Sequence, residues 1–290
     1  EQSYGFRPGR GCKDALRRVD ELLKKGNTWV VDGDIKSYFD SIPHDKLMKE
    51  VEEQIADGRI LEMIEGYLKH GIMDGLKEWQ AEQGTPQGAV ISPLLANIYL
   101  SKIDHEMAKL GYEMVRYADD SVILCRGEEE AKRAMEEMKR MLEVRGLTLH
   151  PDKTKIVDAT KEGGFEFLGY HFERGMRYPR KKSMDKMKAT IRHKTRRTSG
   201  ESMKCIVGEL NASLRGWYVY FKHSHKTKIS RIDGWIRMRL RSILRKRHGG
   251  KGRGRGADHQ RWPNAYFTNL GLFTITAAHA LDCQSRRGNY

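Results

Sequence analysis

Two adjacent carboxylates between apolar, β-branched runs constrain this chain more than any other feature: Arg116-Tyr117-Ala118-Asp119-Asp120-Ser121-Val122-Ile123-Leu124. Residues 115–118 and 121–125 read as two strands with the aspartates at the bend, which lifts two negative charges onto the tip of a buried sheet. Like charges that close repel by about 4 kcal/mol at an effective dielectric of about 20. A divalent cation removes the repulsion, and hard oxygen ligands suit Mg²⁺. Asp is also a standard turn residue, so this stretch alone leaves a metal site and a plain turn both open.

A second acidic strand end lies upstream. Thr28-Trp29-Val30-Val31-Asp32-Gly33-Asp34 reads as a buried strand that finishes in carboxylates, with Asp32 and Asp34 projecting from one face. Helical periodicity and stop signals predict helices over 12–25, from Ser41-Pro43 to about residue 56, and over 59–69. A hairpin is expected around Met73-Asp74-Gly75. The small, Gly- and Pro-rich loop 83–89 opens the clearest helix, which carries Ile91, Leu94, Leu95, Ile98, Ile103 and Met107 and stops at Gly111. Its N-terminus suits an anion. Beyond the Asp-Asp hairpin come an amphipathic helix over 128–145 and strands over 147–149 and 154–157. Residues 165–172 alternate in polarity and read as one arm of a hairpin. This order predicts an α+β domain with helices on one face of a mainly antiparallel sheet.

From about Ser183 the character changes to three helices, near 183–198, 201–222 and 228–247. Residues 174–256 hold 26 Lys and Arg against 4 Asp and Glu, whereas residues 1–173 hold 25 against 33. That asymmetry is the footprint of a nucleic-acid binder. The apolar stripes of the second and third helices read as packing. The arginines around the third, including Arg231, Arg237, Arg239 and Arg241, are too many for packing alone and read as a surface that tracks a phosphate backbone. Residues 249–256 read as a flexible basic linker able to hold nucleic acid loosely. Residues 261–281 regain apolar and aromatic side chains and suggest a small packed tail.

With 290 residues, 38% of them hydrophobic, the chain can build two cores. A mean hydropathy of −0.71 and short apolar runs predict a soluble protein without membrane association. Cys12, Cys125, Cys205 and Cys283 lie far apart and form no CxxC pair, which argues against a zinc site or disulfide framework and for a reducing compartment. The chain opens at Glu1 directly into motif-like sequence, and a longer protein is expected.

Asp34, Asp119 and Asp120 are thus three carboxylates at the ends of apolar strands. Neighbouring strand-end aspartates can hold two Mg²⁺ for in-line phosphoryl transfer, one activating a primer 3′-hydroxyl and one orienting a triphosphate. Nucleases and phosphatases use the same kind of site, so the carboxylates alone do not decide the reaction. Here the sequence resembles the reverse transcriptases encoded by group II introns, the intron maturases. Ser3-Tyr4-Gly5-Phe6-Arg7-Pro8 resembles a fingers block; Asp34-Ile35-Lys36-Ser37-Tyr38-Phe39 resembles motif A; Gly84-Thr85-Pro86-Gln87-Gly88 through Pro93-Leu94-Leu95-Ala96-Asn97 resembles motif B. Tyr117-Ala118-Asp119-Asp120 resembles motif C, residues 147–155 motif D, and Phe167-Leu168-Gly169-Tyr170 the primer grip. Six blocks in family order are far more specific than any one of them.

The resemblance implies a right-hand polymerase with an all-α thumb. Residues 1–27 would be partial fingers, 28–178 the palm, 179–248 the thumb or maturase X domain, 249–256 the linker and 257–290 a tail. It implies an RNA-directed DNA polymerase that also assists intron splicing. The alternatives are a non-catalytic RNA-binding splicing cofactor or another bacterial retroelement polymerase. The implied metal site is Asp34, Ile35, Asp119 and Asp120, holding two Mg²⁺ with Mn²⁺ as a substitute. Lys153 would protonate the leaving pyrophosphate, and Arg7, Phe39, Gln87 and Gly88 would meet nucleotide or template, Phe39 as the gate against a 2′-hydroxyl. Phe167, Leu168 and Gly169 would grip the primer. Asp32 does not match a ligand position and is read as structural. Implied partners are group II intron RNA, an RNA template with a DNA primer, and dNTPs, in a bacterial cytoplasm. The first fingers blocks are missing, and no Cys/His pairs like those of the family's DNA endonuclease domain appear.

Overall fold

The fold is taken from a computed structural model, which describes residues 2–69, 72–74, 77–79, 83–85, 89–254 and 256–287. The chain divides into two compact units, Glu1–Leu168 with Phe172–Gly175, and Gly169–His171 with Met176–Tyr290.

The first unit runs α1 (Cys12–Lys24), β1 (Trp29–Asp34), α2 (Tyr38–Ser41), α3 (His44–Glu52), α4 (Gly58–Lys69), β2 (Ile72–Asp74), β3 (Lys77–Trp79), α5 (Ser92–Lys109), β4 (Glu113–Tyr117), β5 (Asp120–Cys125), α6 (Glu128–Val144), β6 (Lys155–Asp158) and β7 (Phe165–Phe167). Four strands form a wholly antiparallel sheet in the order β4-β5-β1-β6. Met114, Ile123 and Val31 stand opposite one another across three strands. They enter one core with Leu47, Ile64, Leu95, Tyr99, Ile103 and Met138 from α3, α4, α5 and α6. Val30, Val115, Val122 and Leu124 are buried outside that cluster, and α1 packs against β4 and β5.

Several boundaries differ from the sequence reading. The helix expected to reach residue 56 ends at Glu52, because Asp57 starts a new one: its Oδ1 accepts the amides of Arg59 at 2.9 Å and Ile60 at 3.3 Å. The expected strand over 147–149 pairs only through an isolated bridge from Leu149 to Ile35. Residues 165–172 are not one arm. Leu168 (φ 46°) and Gly169 (φ 81°) both adopt left-handed backbone, which ends β7 and starts β8 (Tyr170–Glu173) across a two-residue turn. With β9 (Met176–Pro179) these make a three-stranded sheet in the order β7-β8-β9.

The second unit continues with α7 (Lys181–Lys194), α8 (Met203–Phe221), α9 (Lys226–Arg247), α10 (Asp258–Arg261), α11 (Asn264–Asn269) and α12 (Ile275–Arg287). Its core joins Ile191, Ile206, Leu210, Leu214, Ile236, Leu240 and Ile243 to Trp262, Phe267, Leu272 and Ile275. The segment read as a separate tail therefore completes the helical unit. Asp233 on α9, only 4% exposed, holds it in place by accepting the amides of Ile275 (3.0 Å) and Thr276 (2.8 Å).

The glycine-rich tract is not loose either. The Gly254 amide donates to Ser242 Oγ at 2.9 Å, and a Cβ on Gly254 would stand 2.5 Å from Arg241 Cβ, so only glycine fits against α9.

Candidate active site

The register of β1 with β5 places Asp34 directly opposite Asp120. Opposed residues of an antiparallel pair have Cα atoms about 4.5–5.5 Å apart, so two carboxylates from positions 86 residues apart share one sheet end. Tyr117 is also opposite Asp120, which leaves Ala118 and Asp119 as a two-residue hairpin turn. Asp119 thus sits in the turn, and Asp120 is the first residue of β5 rather than part of the bend. Ala118 has φ 59°, a conformation such turns normally give to glycine. The strain sits beside the aspartates.

A buried network holds that turn. Arg116, 3% exposed, reaches Asp104 on α5 with Nε at 2.7 Å and NH2 at 2.5 Å. Its NH1 donates to Asn97 Oδ1 at 3.0 Å and to the carbonyl of Ala118 at 2.8 Å. Asn97 in turn donates to the Gly5 carbonyl at 2.8 Å. Residues 2–4 lie beside β4: the Tyr4 amide donates to the Arg116 carbonyl at 2.8 Å and the Arg116 amide to Gln2 at 3.0 Å. A Cβ on Gly5 would stand 2.5 Å from the Ala118 nitrogen. Sequence reasoning gave Arg116 and Asp104 no role. The signal was present: an arginine inside a buried strand, and Asn97 and Asp104 seven residues apart on the helix face that carries the apolar stripe.

The other predicted residues distribute as follows. Lys153 Nζ lies 2.9 Å from Asp34 Oδ2, an exposed ion pair that brings a cation to the carboxylate expected to hold a metal. Ile35 is 5% exposed with its side chain in the core, so only its carbonyl can serve an ion. Around it, the Lys36 amide donates to Thr148 (2.9 Å) and the His150 amide to Asp34 (2.7 Å), tying motif A to the chain before Lys153. The Phe39 carbonyl accepts the Thr85 amide at 2.6 Å, and the Tyr38 hydroxyl donates to Ala96 at 2.6 Å; these fix motif A against α5. Gln87 and Gly88 lie outside the described residues. Arg7 is exposed. The Leu168 amide reaches Asp120 Oδ2 at 3.4 Å, and Phe167 is buried. In the second unit, Gly169 accepts the Arg180 amide at 3.0 Å and the Ser183 hydroxyl at 3.2 Å.

Asp32, read as structural, is half-buried in β1. Burial pushes its carboxyl up to about 6, with Asp34 and Glu166 adding to the rise and Lys155, 3.9 Å away, opposing it. The ligands that the resemblance implies, Asp34, Asp119, Asp120 and the Ile35 carbonyl, offer only oxygen atoms. That set fits a hard divalent cation and does not suit zinc or copper.

One of the four arginines read as a backbone-tracking surface is corrected. Arg241 is 2% exposed and donates to the Trp262 carbonyl (2.9 Å) and Asn264 Oδ1 (2.8 Å), so it packs α9 onto α11. Arg231 is exposed, and Arg237 and Arg239 are half-buried.

Opposed acidic strand ends on an antiparallel sheet are the layout of enzymes that transfer phosphoryl groups with two metal ions. Residues 1–172 match the family described as "Reverse transcriptase (RNA-dependent DNA polymerase)", and the chain belongs to it. Residues 184–262 match "Group II intron, maturase-specific domain", so the pairing is that of a group II intron reverse transcriptase and maturase. The chain is 36% identical over 211 residues to protein YkfC of Escherichia coli K12, covering 59% of this chain and 55% of YkfC. It is 37% identical over 120 residues to the group II intron-encoded protein LtrA of Lactococcus lactis subsp. cremoris, covering 41% of this chain and 20% of LtrA. A telomerase structure from Candida albicans shares the fold at 15% identity with a TM-score of 0.51, covering 84% of this chain and 48% of that one. The chain thus spans about half or less of the length of these relatives.

Proposed function

We propose that this chain copies RNA into DNA for a group II intron and that its helical unit holds intron RNA during splicing. The observation that carries the reading is the placement of Asp34 opposite Asp120, with Asp119 in the adjoining strained turn. Two Mg²⁺, with Mn²⁺ as a substitute, would be held by Asp34, Asp119, Asp120 and the Ile35 carbonyl, and would supply Lewis-acid charge for in-line transfer of a nucleotide from a dNTP. The chain's own residues do the positioning. Arg116 and Gly5 hold the turn rigid, so the carboxylates do not have to reorganise as charge develops. The Lys153 ammonium, paired with Asp34, would give a proton to the leaving pyrophosphate. Phe39, packed against the core and bonded through its carbonyl to Thr85, would screen the sugar of an incoming nucleotide. The implied RNA template, DNA primer and intron RNA agree with the basic balance of residues 174–256. A reducing bacterial cytoplasm agrees with four free cysteines. Among the described residues no helix is long and apolar enough to cross a membrane.

Primer extension on an RNA template with Mg²⁺ is the test. Asp119→Asn should lower the extension rate by at least about 10²–10³, since the carboxylate carries several kcal/mol of charge stabilisation. Unchanged extension would remove the proposed metal site. Changing Asp119 and Asp120 together to Asn should abolish copying while splicing in the presence of the protein persists, which separates the two roles.

A further inference from the structure

The second unit contains a cavity of about 200 Å³ between the end of α7, the middle of α9 and the glycine-rich tract. It is lined by Arg192, Arg197, Arg239 and Arg253 together with Trp235 and Thr195. None of the four guanidinium groups has an acidic partner within ion-pair distance among the described residues, so their charges meet in one cavity without a carboxylate between them.

The cluster is built rather than incidental. Arg192 and Arg239 both lie over the Trp235 ring, at 5.7 and 5.5 Å from its centroid, and the cation–π contacts aim them at one place. Arg239 is locked further: its Nε donates to Thr195 Oγ1 at 2.6 Å and its NH2 to the Thr195 carbonyl at 3.0 Å, closing the end of α7. Arg253 is brought in by its neighbour. Gly254 is pinned to Ser242 and has no room for a side chain, so the tract must pass against α9 at this point. The assembly crowds like charges: burial is the main cause that lowers the Arg239 pKa, and Arg192 and then Arg197 add to the fall. Four guanidinium groups thus line one cavity, two of them against Trp235, and an anion seated there would offset their crowded charge. Planar guanidinium forks match the geometry of phosphate oxygens.

We propose that this cavity is a phosphodiester subsite that seats one backbone phosphate of a bound RNA, with Trp235 as the floor beside it. The proposal rests on the RNA-binding part of the function proposed above, and it turns a diffuse basic surface into a defined point of contact.

The test compares two triple variants of the full chain that lose the same charge. One is R192Q/R197Q/R253Q, which spares the helix-closing Arg239. The other is K204Q/K226Q/K246Q, three exposed lysines of α8 and α9 away from the cavity. Affinity for a fluorescein-labelled RNA hairpin is read by anisotropy over a salt series, without divalent metal or nucleotide, with circular dichroism and thermal melting recorded for each variant. The cavity triple should bind at least about ten-fold more weakly than the lysine triple, and its slope of log affinity against log salt should be shallower than wild type by about one. Equal losses in the two triples would overturn the subsite, because charge alone would then account for binding. If the cavity triple melts early, R253Q alone carries the comparison against K204Q, since Arg253 is exposed and lies outside every helix. Inorganic phosphate is the second arm. Phosphate should displace RNA from wild type more than chloride of equal ionic strength does and lose that advantage in the cavity triple; the same advantage in both proteins would overturn the subsite. Because nothing is copied in this assay, failure of the polymerase reading would leave its outcome readable.

Discussion

Arg116 is the residue on which the acidic turn depends. It spends four hydrogen bonds on Asp104, Asn97 and the Ala118 carbonyl, and both it and Asp104 are out of water. Removing one partner of such a pair strands the other charge, at a cost of about 3–5 kcal/mol. Asp104→Ala should therefore lower the stability of the first unit by that order in urea denaturation, and should lower extension activity although Asp104 never meets substrate. A change within error of zero would mean the pair is solvated in solution. Arg241 carries the complementary lesson. It looked like one more member of a basic face, but its hydrogen bonds to Trp262 and Asn264 make it a packing residue.

Turns and helix contacts set the next scale. Ala118 holds a left-handed φ of 59° between Tyr117 and Asp119. A left-handed alanine costs about 1–2 kcal/mol, more than the about 0.4–1 kcal/mol that glycine loses through its unfolded-state freedom. Ala118→Gly should raise the urea midpoint, and a lowered midpoint would show that the turn is not strained. Three helices meet at Glu50 of α3, which binds Lys102 of α5 and Arg145 at the end of α6, both at 2.8 Å. Burial alone would raise the Glu50 pKa, but the bonds to Lys102 and Arg145 prevail and hold it below the usual carboxylate value. A depressed folded pKa contributes stability above the unfolded pKa and loses it as pH falls through the folded one. The stability gap between wild type and Glu50→Gln should thus be largest near neutral pH and shrink as the solution is made acid. A gap that stays constant with pH would remove the ionic contribution.

Over the whole molecule, two separate cores predict two unfolding events. Val31, Ile123 and Leu95 belong to one core, and Leu210, Leu240 and Phe267 to the other. Truncating a buried phenylalanine costs about 3–5 kcal/mol. Phe267→Ala should lower one calorimetric transition and leave the other, while Asp104→Ala should do the reverse. One transition shifted equally by both variants would mean the cores melt as a unit. The match of the reverse transcriptase family over residues 1–172 and of the maturase-specific domain over 184–262 follows the same division.

Much of this was legible in the chain itself, because strand-end aspartates and helical stripes are local patterns. Asp34 and Asp119-Asp120 announced themselves by interrupting apolar runs, and the long helix before Gly111 by its period. What the sequence could not carry was pairing at a distance. The partnership of Arg116 with Asp104, the turn at Leu168-Gly169 inside an alternating run, and the folding of the glycine tract onto α9 all arise between segments far apart or from backbone that no periodicity encodes. Charge was readable as a sum, yet which arginines face solvent was decided by burial. The residue types determined that acid would collect at one sheet end and base in the helices; tertiary packing alone determined which of those charges are neutralised inside the protein and which remain open to a ligand, because desolvation acts on position and not on composition.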